Sequence, residues 1–285
     1  MAKSDLGRTI IDELRLCYKA EPPILDELAK TEIGNWIDYG NFSLFRVVSR
    51  HFKYAFDVLY SDLDNRSKVA TLRFGHYVEK RNPTYMYYRV ENEVLYNEKK
   101  LKEILKLPDM LGITFKHITT IDLARDFKFN VVQRIRKTAK DKETKVIVNG
   151  KAVEKEKDIR DGMFVFPLNF NRLKNPTITV KQAKAIKDKT KGLTLCGYNK
   201  NKEIESSSHK HYIKEFYGNP KSLHRLEVHQ NNKEIKGFCK KLNVKQRLTL
   251  IFNQAFLDSM FSSHLSSLLR FTRGRTKIEW DELLH

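Results

Sequence analysis

Three runs decide how this chain is read: Leu-Thr-Leu-Cys-Gly-Tyr-Asn-Lys (193–200), Leu-His-Arg-Leu-Glu-Val-His-Gln (223–230) and, upstream, Thr-Ile-Asp-Leu-Ala-Arg-Asp-Phe (120–127). Successive side chains of a strand point to opposite faces. An extended 193–200 puts Thr194, Cys196, Tyr198 and Lys200 on one face. In 223–230, His224, Leu226 and Val228 share one side, and Arg225, Glu227 and His229 share the other. In 120–127, Ile121, Leu123 and Phe127 alternate with Thr120, Asp122, Ala124 and Asp126. The last two runs each offer an apolar side and a polar one, as in an antiparallel sheet with one face on the core. The expected fold class is α+β: an antiparallel β-sheet carrying the site on one face, helices packed on the other, and a helical C-terminal segment.

Working outward, residues 5–32 carry apolar spacing on both sides of Pro22-Pro23, which predicts two short helices broken by the prolines. Residues 42–60 and 69–74 are rich in aromatic and β-branched types and read as strands. The run 85–96 reads as a strand entering a turn near Asn92, and 97–110 as an amphipathic helix stopped at Pro108. The tyrosines of 85–96 have two readings, a half-buried sheet surface or stacking platforms for unpaired bases. Residues 134–160 are dominated by charge, with Asn149-Gly150 between β-branched runs, a hairpin signal. That hairpin is expected to project from the body. Pro167 marks 162–168 as an edge strand. Helical spacing over 244–271 predicts one or two helices on the sheet, followed by a basic tail docked by Trp280. With no linker or repeat in view, the expected organisation is 1–240 as one domain, including the helical 5–32, and 241–285 as an extension packed on it.

Lys and Arg outnumber Asp and Glu by 54 to 35, a net charge of +19. Such an excess favours a polyanionic partner, usually nucleic acid. The three cysteines are scattered and form no Cys-x-x-Cys pair, so neither a zinc knuckle nor a disulfide framework is indicated. This usage and the lack of an apolar leader or a long apolar run point to the cytoplasm and away from a membrane. No Walker-type phosphate loop is present, which argues against an ATP-driven motor.

Tyr198 is a candidate nucleophile, with Lys200 as the cation that favours its phenolate or grips a phosphate. Among twelve tyrosines, packing is the plain alternative. Glu227, between Arg225 and His229, is either a cross-strand ion-pair partner or a hard-metal ligand, with Arg225 on phosphate. Asp122 offers a second carboxylate. Asp126 lies about 13 Å further along the strand, so it is assigned a supporting or DNA-facing place, with His229 also supporting. A carboxylate pair suits Mg²⁺ or Mn²⁺. His209-Lys-His211 lies in a polar stretch and is expected to be exposed. Lys137, Lys145 and Lys151 of the charged segment, and Lys184 and Lys187 of the lysine-rich run after Thr177, are candidate DNA contacts.

The order of these motifs resembles the rolling-circle replication initiators of small plasmids, the Rep-trans type, and more distantly the replication endonucleases of filamentous phages. Ile-Asp-Leu-Ala-x-Asp precedes a strand ending Tyr-Asn-Lys, and Arg-Leu-Glu-Val follows. The run Tyr88 to Tyr96 adds to the likeness, which covers roughly residues 70–240. The resemblance implies that Tyr198 attacks the DNA backbone and becomes linked to a 5′ phosphate. It also implies a divalent metal, origin DNA (single-stranded or hairpin) as substrate, a host helicase and polymerase as partners, and often a homodimer. Departures are Thr120 where a basic residue is common, Leu226 for a frequent aromatic, and no Gly-Ser-Arg-Lys-like run before the tyrosine. Two other readings stand beside it, a non-enzymatic DNA-binding protein and a metal-dependent nuclease that uses water.

Overall fold

A computed structural model gives the fold, and it describes residues 6–62, 65–77, 83–153, 159–161, 164–166, 177–182 and 192–284. The elements are β1 (Ile10–Lys19), α1 (Pro22–Lys30), β2 (Trp36–Tyr39), β3 (Phe42–Val47), β4 (Phe52–Asp62), β5 (Asn65–His76), β6 (Tyr85–Val90), α2 (Asn92–Leu95), α3 (Glu98–Ile104), α4 (Leu107–Met110) and β7 (Thr114–Phe127). There follow α5 (Val131–Lys140), β8 (Thr144–Val148), β9 (Lys151–Val153), β10 (Ile159–Asp161), β11 (Phe164–Phe166), β12 (Ile178–Lys181) and β13 (Thr194–Asn199). The rest are α6 (Lys200–Glu203), α7 (His211–Phe216), β14 (His224–Asn231), α8 (Asn232–Lys241), α9 (Gln254–Leu268), β15 (Leu269–Arg273), β16 (Thr276–Ile278) and α10 (Trp280–Leu284).

The chain forms two compact units. One comprises Met1–Ile11, Asp122–Leu242 and Thr249–His285, the other Asp12–Ile121 and Asn243–Leu248. In the first, strands run in the order β10-β11-β12-β13-β14-β7, with Asp122–Phe127 supplying the β7 part. The β12–β13 and β13–β14 pairs are antiparallel. The apolar face of this sheet is covered by helices. A Cβ added to Gly197 would meet Leu226 Cδ2 at 3.0 Å and Val132 Cγ2 of α5 at 3.5 Å. Gln230 receives His264 of α9 at 2.6 Å, and Arg125 reaches Asp258 and Ser262 of the same helix at 3.2 and 3.4 Å. Among the described residues the antiparallel sheet with helices behind is thus as the alternation implied. A second small sheet, β16-β15-β8-β9, belongs to this unit.

The other unit holds an antiparallel sheet in the order β1-β6-β5-β4-β3-β2. Its inner face is Leu14, Leu16, Leu44, Phe56, Leu72, Met86 and Tyr88, all essentially inaccessible. Tyr88 donates its hydroxyl to the Ile104 carbonyl of α3 at 3.1 Å.

Several expectations need correction. Residues 5–32 are not two helices: 10–19 is a strand, and only the segment begun by Pro22 is helical. From residue 13 on Leu14, Leu16 and Tyr18 are buried while Arg15 and Lys19 are exposed, with Cys17 the one buried exception on their side, so long-range pairing prevails over helical spacing in 10–14. The Asn149-Gly150 hairpin forms, with φ of 50° and 80° at the turn, the mirror-image geometry that asparagine and glycine tolerate. It does not project, because β8 pairs along its length with β15. The 134–160 segment also contains a helix, α5, capped by Asn130 and burying Val131, Val132, Ile135 and Ala139. Residues 269–278 form a hairpin where a helix end and basic tail were expected. Pro108 starts a short helix, α4, after α3 has ended. Lys184, Lys187 and Pro167 lie outside the described residues.

Candidate functional site

All three signature runs bring their polar sides to one face of one sheet. Register pairs Thr194 with His229, Cys196 with Glu227 and Tyr198 with Arg225. On the neighbouring β7, Asp126 meets Arg225 and Asp122 meets His229. These two contacts set Ala124 level with Glu227. The face therefore has three rows: Asp122, His229 and Thr194; then Ala124, Glu227 and Cys196; then Asp126, Arg225 and Tyr198.

Each row is held by a specific bond. Arg225 Nε and Nη2 donate to Asp126 Oδ1 and Oδ2 at 2.8 and 2.6 Å, with both side chains 0% exposed. This two-pronged geometry suits a planar guanidinium and a carboxylate, and it keeps a buried charge compensated. Arg225 was expected to contact DNA; burial against Asp126 gives it a scaffolding place instead. Asp126 is likewise not DNA-facing. His229 Nδ1 lies 2.6 Å from Asp122 Oδ1, which orients the imidazole. Tyr198 Oη donates to Glu227 Oε2 at 2.9 Å, one row along from its register partner. Arg225 Nη1 stands 3.9 Å from that same oxygen.

The chain leaves the sheet directly after Asn199. Asn199 caps α6 by accepting from the Lys202 backbone N–H at 3.0 Å. Lys200 therefore does not continue the strand face. It is 2% exposed, binds Glu203 at 2.8 Å, and holds its ammonium 5.6 Å from the Tyr198 ring centroid. Phosphate gripping by Lys200 is not compatible with its burial and its pairing with Glu203.

Above the face is a cleft of about 380 Å³, lined by Thr179, Cys196, Tyr198, Lys202, Ser206 and Glu227 among others. Cys196 is half-buried in its lining. Burial, then the charges of Glu227 and, more weakly, Asp122, push its thiol up to about 11. The thiol thus senses both carboxylates. Asp122 and Glu227 occupy diagonal positions on neighbouring strands, where Cα atoms lie about 7–8 Å apart, a span two side chains can close onto one ion. Among the described residues no three His, Cys, Asp or Glu side chains converge on a point. Glu227 lines the cleft, whereas Asp122 lies outside its lining with Oδ1 held by His229, so a carboxylate pair of the kind that suits a hard divalent ion is near at hand but is not preassembled around one point.

The remaining candidates scatter. Lys137, Lys145 and Lys151 are exposed, the first on α5 and the others on the β8–β9 hairpin. Lys137 shares a second cleft, about 460 Å³, with Phe129, Arg134, Arg136 and Lys140. His209 and His211 are exposed, as their polar context implied. Sequence reasoning missed Lys202, Ser206 and, on α5, Arg134, Arg136 and Lys140, though it had singled out Lys137. The Asn130 cap and the 131, 132, 135, 139 spacing were the available signals for α5.

No family model matches this chain, and no curated protein matches it. Among solved structures it is similar to the rolling-circle replication initiator protein from Geobacillus stearothermophilus, with a TM-score of 0.44 and 11% identity over 94% of this chain and 88% of that one. No helix among the described residues is long and apolar enough to cross a membrane.

Proposed function

We propose that this chain nicks and rejoins DNA through Tyr198, the reaction that starts rolling-circle replication of a plasmid or phage. The observation that carries the reading is the 2.9 Å hydrogen bond from Tyr198 Oη to Glu227, inside a cleft on the polar face. A phenol needs a base or a nearby cation to attack at neutral pH. Glu227 is placed to accept the proton as Oη bonds to phosphorus. The P–O3′ bond breaks, and the 3′ oxygen leaves, takes up a proton and becomes a 3′ hydroxyl. The tyrosyl phosphodiester keeps the energy of the broken linkage, so the reverse step needs no nucleotide. The free 3′ hydroxyl is what a polymerase extends.

Asp122 and Glu227 would hold Mg²⁺ or Mn²⁺, which when bound would neutralise charge on the scissile phosphate. Around it, the chain's own groups have distinct tasks. Asp122 fixes His229. Asp126 and Arg225 lock β7 to β14 and so hold Glu227 in register beneath the tyrosine. Lys200 supplies positive potential behind the ring.

The test is covalent trapping. The protein and its Tyr198→Phe variant are incubated with labelled single-stranded or supercoiled origin DNA and Mn²⁺, then denatured. A labelled band at protein mass, absent from Tyr198→Phe, is the expected result. Cleavage that survives Tyr198→Phe with no adduct would overturn the tyrosine mechanism in favour of a water-using nuclease. Tight, salt-sensitive binding with neither cleavage nor adduct would reduce the chain to a DNA-binding protein.

A further inference from the structure

The second unit contains a charged face that the proposed chemistry does not use. Register places Arg15 directly opposite Arg89, and Thr71 on the other side of Arg89. Arg73 pairs with Tyr87, one row along, and Lys19 pairs with Tyr85. All of these lie on the side away from Leu14, Leu16, Tyr18, Met86 and Tyr88, which form the core. The side chains of Arg15, Lys19 and Arg89 are 44, 46 and 49% exposed.

Like charges directly opposite across a sheet are destabilising. Here the carboxylates relieve this only in part. Glu13 serves both Arg15 and Arg89, the latter at 3.6 Å, and Glu21 pairs with Lys19 at 3.1 Å. Asp57 and Glu91 both go to Lys68, at 2.8 and 3.7 Å. Arg73 is left with no ion pair among the described residues. Burial, and then the charges of Arg89 and Arg15, lower its affinity for its own proton, and the more weakly felt charges of Asp57 and Glu91 offset this only in part. A sheet that tolerates this repulsion is built for an anion that its own carboxylates do not supply.

Two features choose the anion. The cations sit in rows across three strands, which matches a chain of phosphates better than one small ion. Between them stand the half-buried rings of Tyr85 and Tyr87, the latter 5.7 Å from Phe52. Aromatic rings on a sheet face, interleaved with arginine, stack on bases that are not already paired. We infer that the open face of the β1-β6-β5 sheet, through Arg15, Arg73, Arg89, Tyr85 and Tyr87, binds single-stranded DNA independently of sequence. This deepens the proposed function, since nicking opens a strand that must be held, and it rests on that reading for its biological sense.

The experiment follows the anisotropy of a labelled oligothymidylate, which carries no origin sequence. The parent is the full chain with Tyr198→Phe, which cannot form the adduct, so a failure of the nicking chemistry leaves this test intact. Arg73→Gln, and separately Arg15→Gln with Arg89→Gln, are expected to weaken binding. Each lost phosphate contact should make the log–log salt dependence shallower by about 0.7. Tyr87→Ala should lose about 5- to 100-fold and Tyr87→Phe little, as expected for a stacking ring. Arg73→Gln should melt no lower than the parent, because it removes repulsion. Unchanged affinity and salt slope in these variants would overturn the inference, as would a parent that does not bind oligothymidylate. An equal loss on random duplex would reassign the face to paired DNA and also overturn it. A lower melting point together with lost binding in Arg73→Gln would mark the residue as structural and count against it, with the exposed Arg15 and Arg89 variants then deciding.

Discussion

Each unit presents an antiparallel sheet with one apolar, helix-covered face and one polar face, yet the two polar faces treat charge in opposite ways. In the site-bearing unit each carboxylate of the three central rows has a complementary neighbour: Asp126 with Arg225, Asp122 with His229, Glu227 with Tyr198. In the other unit Arg15 faces Arg89, and Arg73 stands without an ion pair among the described residues. Complementary groups at short range fix geometry, which chemistry at one atom requires. Like charges spread over rows fix nothing but create a field, which suits a flexible polyanion. On the proposed reading, the same architecture serves precision in one place and affinity in the other.

The comparison can be broken most sharply at Tyr198. Tyr198→Phe removes the proposed nucleophile while keeping the ring, and strand cleavage should fall by at least about 1,000-fold. Binding to oligothymidylate should stay as it was, since that property belongs to the other face. A matching fall in binding would show that the two faces are not separable.

The next largest effect concerns stability. Arg225→Met leaves Asp126 charged and buried without its partner, and should cost about 3–5 kcal/mol, read as a lower denaturation midpoint. Arg89→Gln on the exposed face of the other unit should change stability by no more than about 0.5 kcal/mol. If both substitutions cost the same, the contrast between a satisfied interior pair and an open charged face fails.

His264 gives a pH handle on the helical side of the site-bearing sheet. It is buried against Gln230, and burial, with the Lys241 charge adding to it, lowers its pKa to about 4. The unfolded chain would titrate it near 6.5, so between those values the unfolded state binds the extra proton. Its contribution is fully present above about pH 6.5 and is lost as the pH falls towards 4, on the order of 3 kcal/mol in all. His264→Gln should flatten that part of the stability–pH curve. An unchanged curve would place the acid sensitivity elsewhere.

A smaller effect than that of Arg225→Met is expected at Gly197, whose added Cβ would meet Leu226 Cδ2 at 3.0 Å. Gly197→Ala should cost about 1–3 kcal/mol through overpacking. If it leaves the adduct yield unchanged, the tyrosine is positioned by its bond to Glu227 more than by the packing below.

Much of the site was legible in the residues because a period of two is a local property. The alternation in 120–127 and 223–230 put Asp122, Asp126, Arg225, Glu227 and His229 on the polar sides before any fold was known, and Asn149-Gly150 announced its own turn. The N-terminal strand was misread because 10–14 alone fits helical spacing, and the choice was made by pairing with β6, whose sequence is far away. α5 was lost in a run of charge, though its cap and apolar spacing were present.

What the sequence determined alone is therefore the α+β character, the two-sided strands, the hairpin turn and the excess of positive charge, all of which follow from neighbours along the chain. Only the tertiary structure decided which polar sides meet. It assigned Asp126 to Arg225 and Asp122 to His229, turned the chain into α6 so that Lys200 was buried, and set Arg15 against Arg89. Those outcomes depend on the register between strands distant in sequence. A shift of one residue in that register would turn every side chain of a strand to the opposite face.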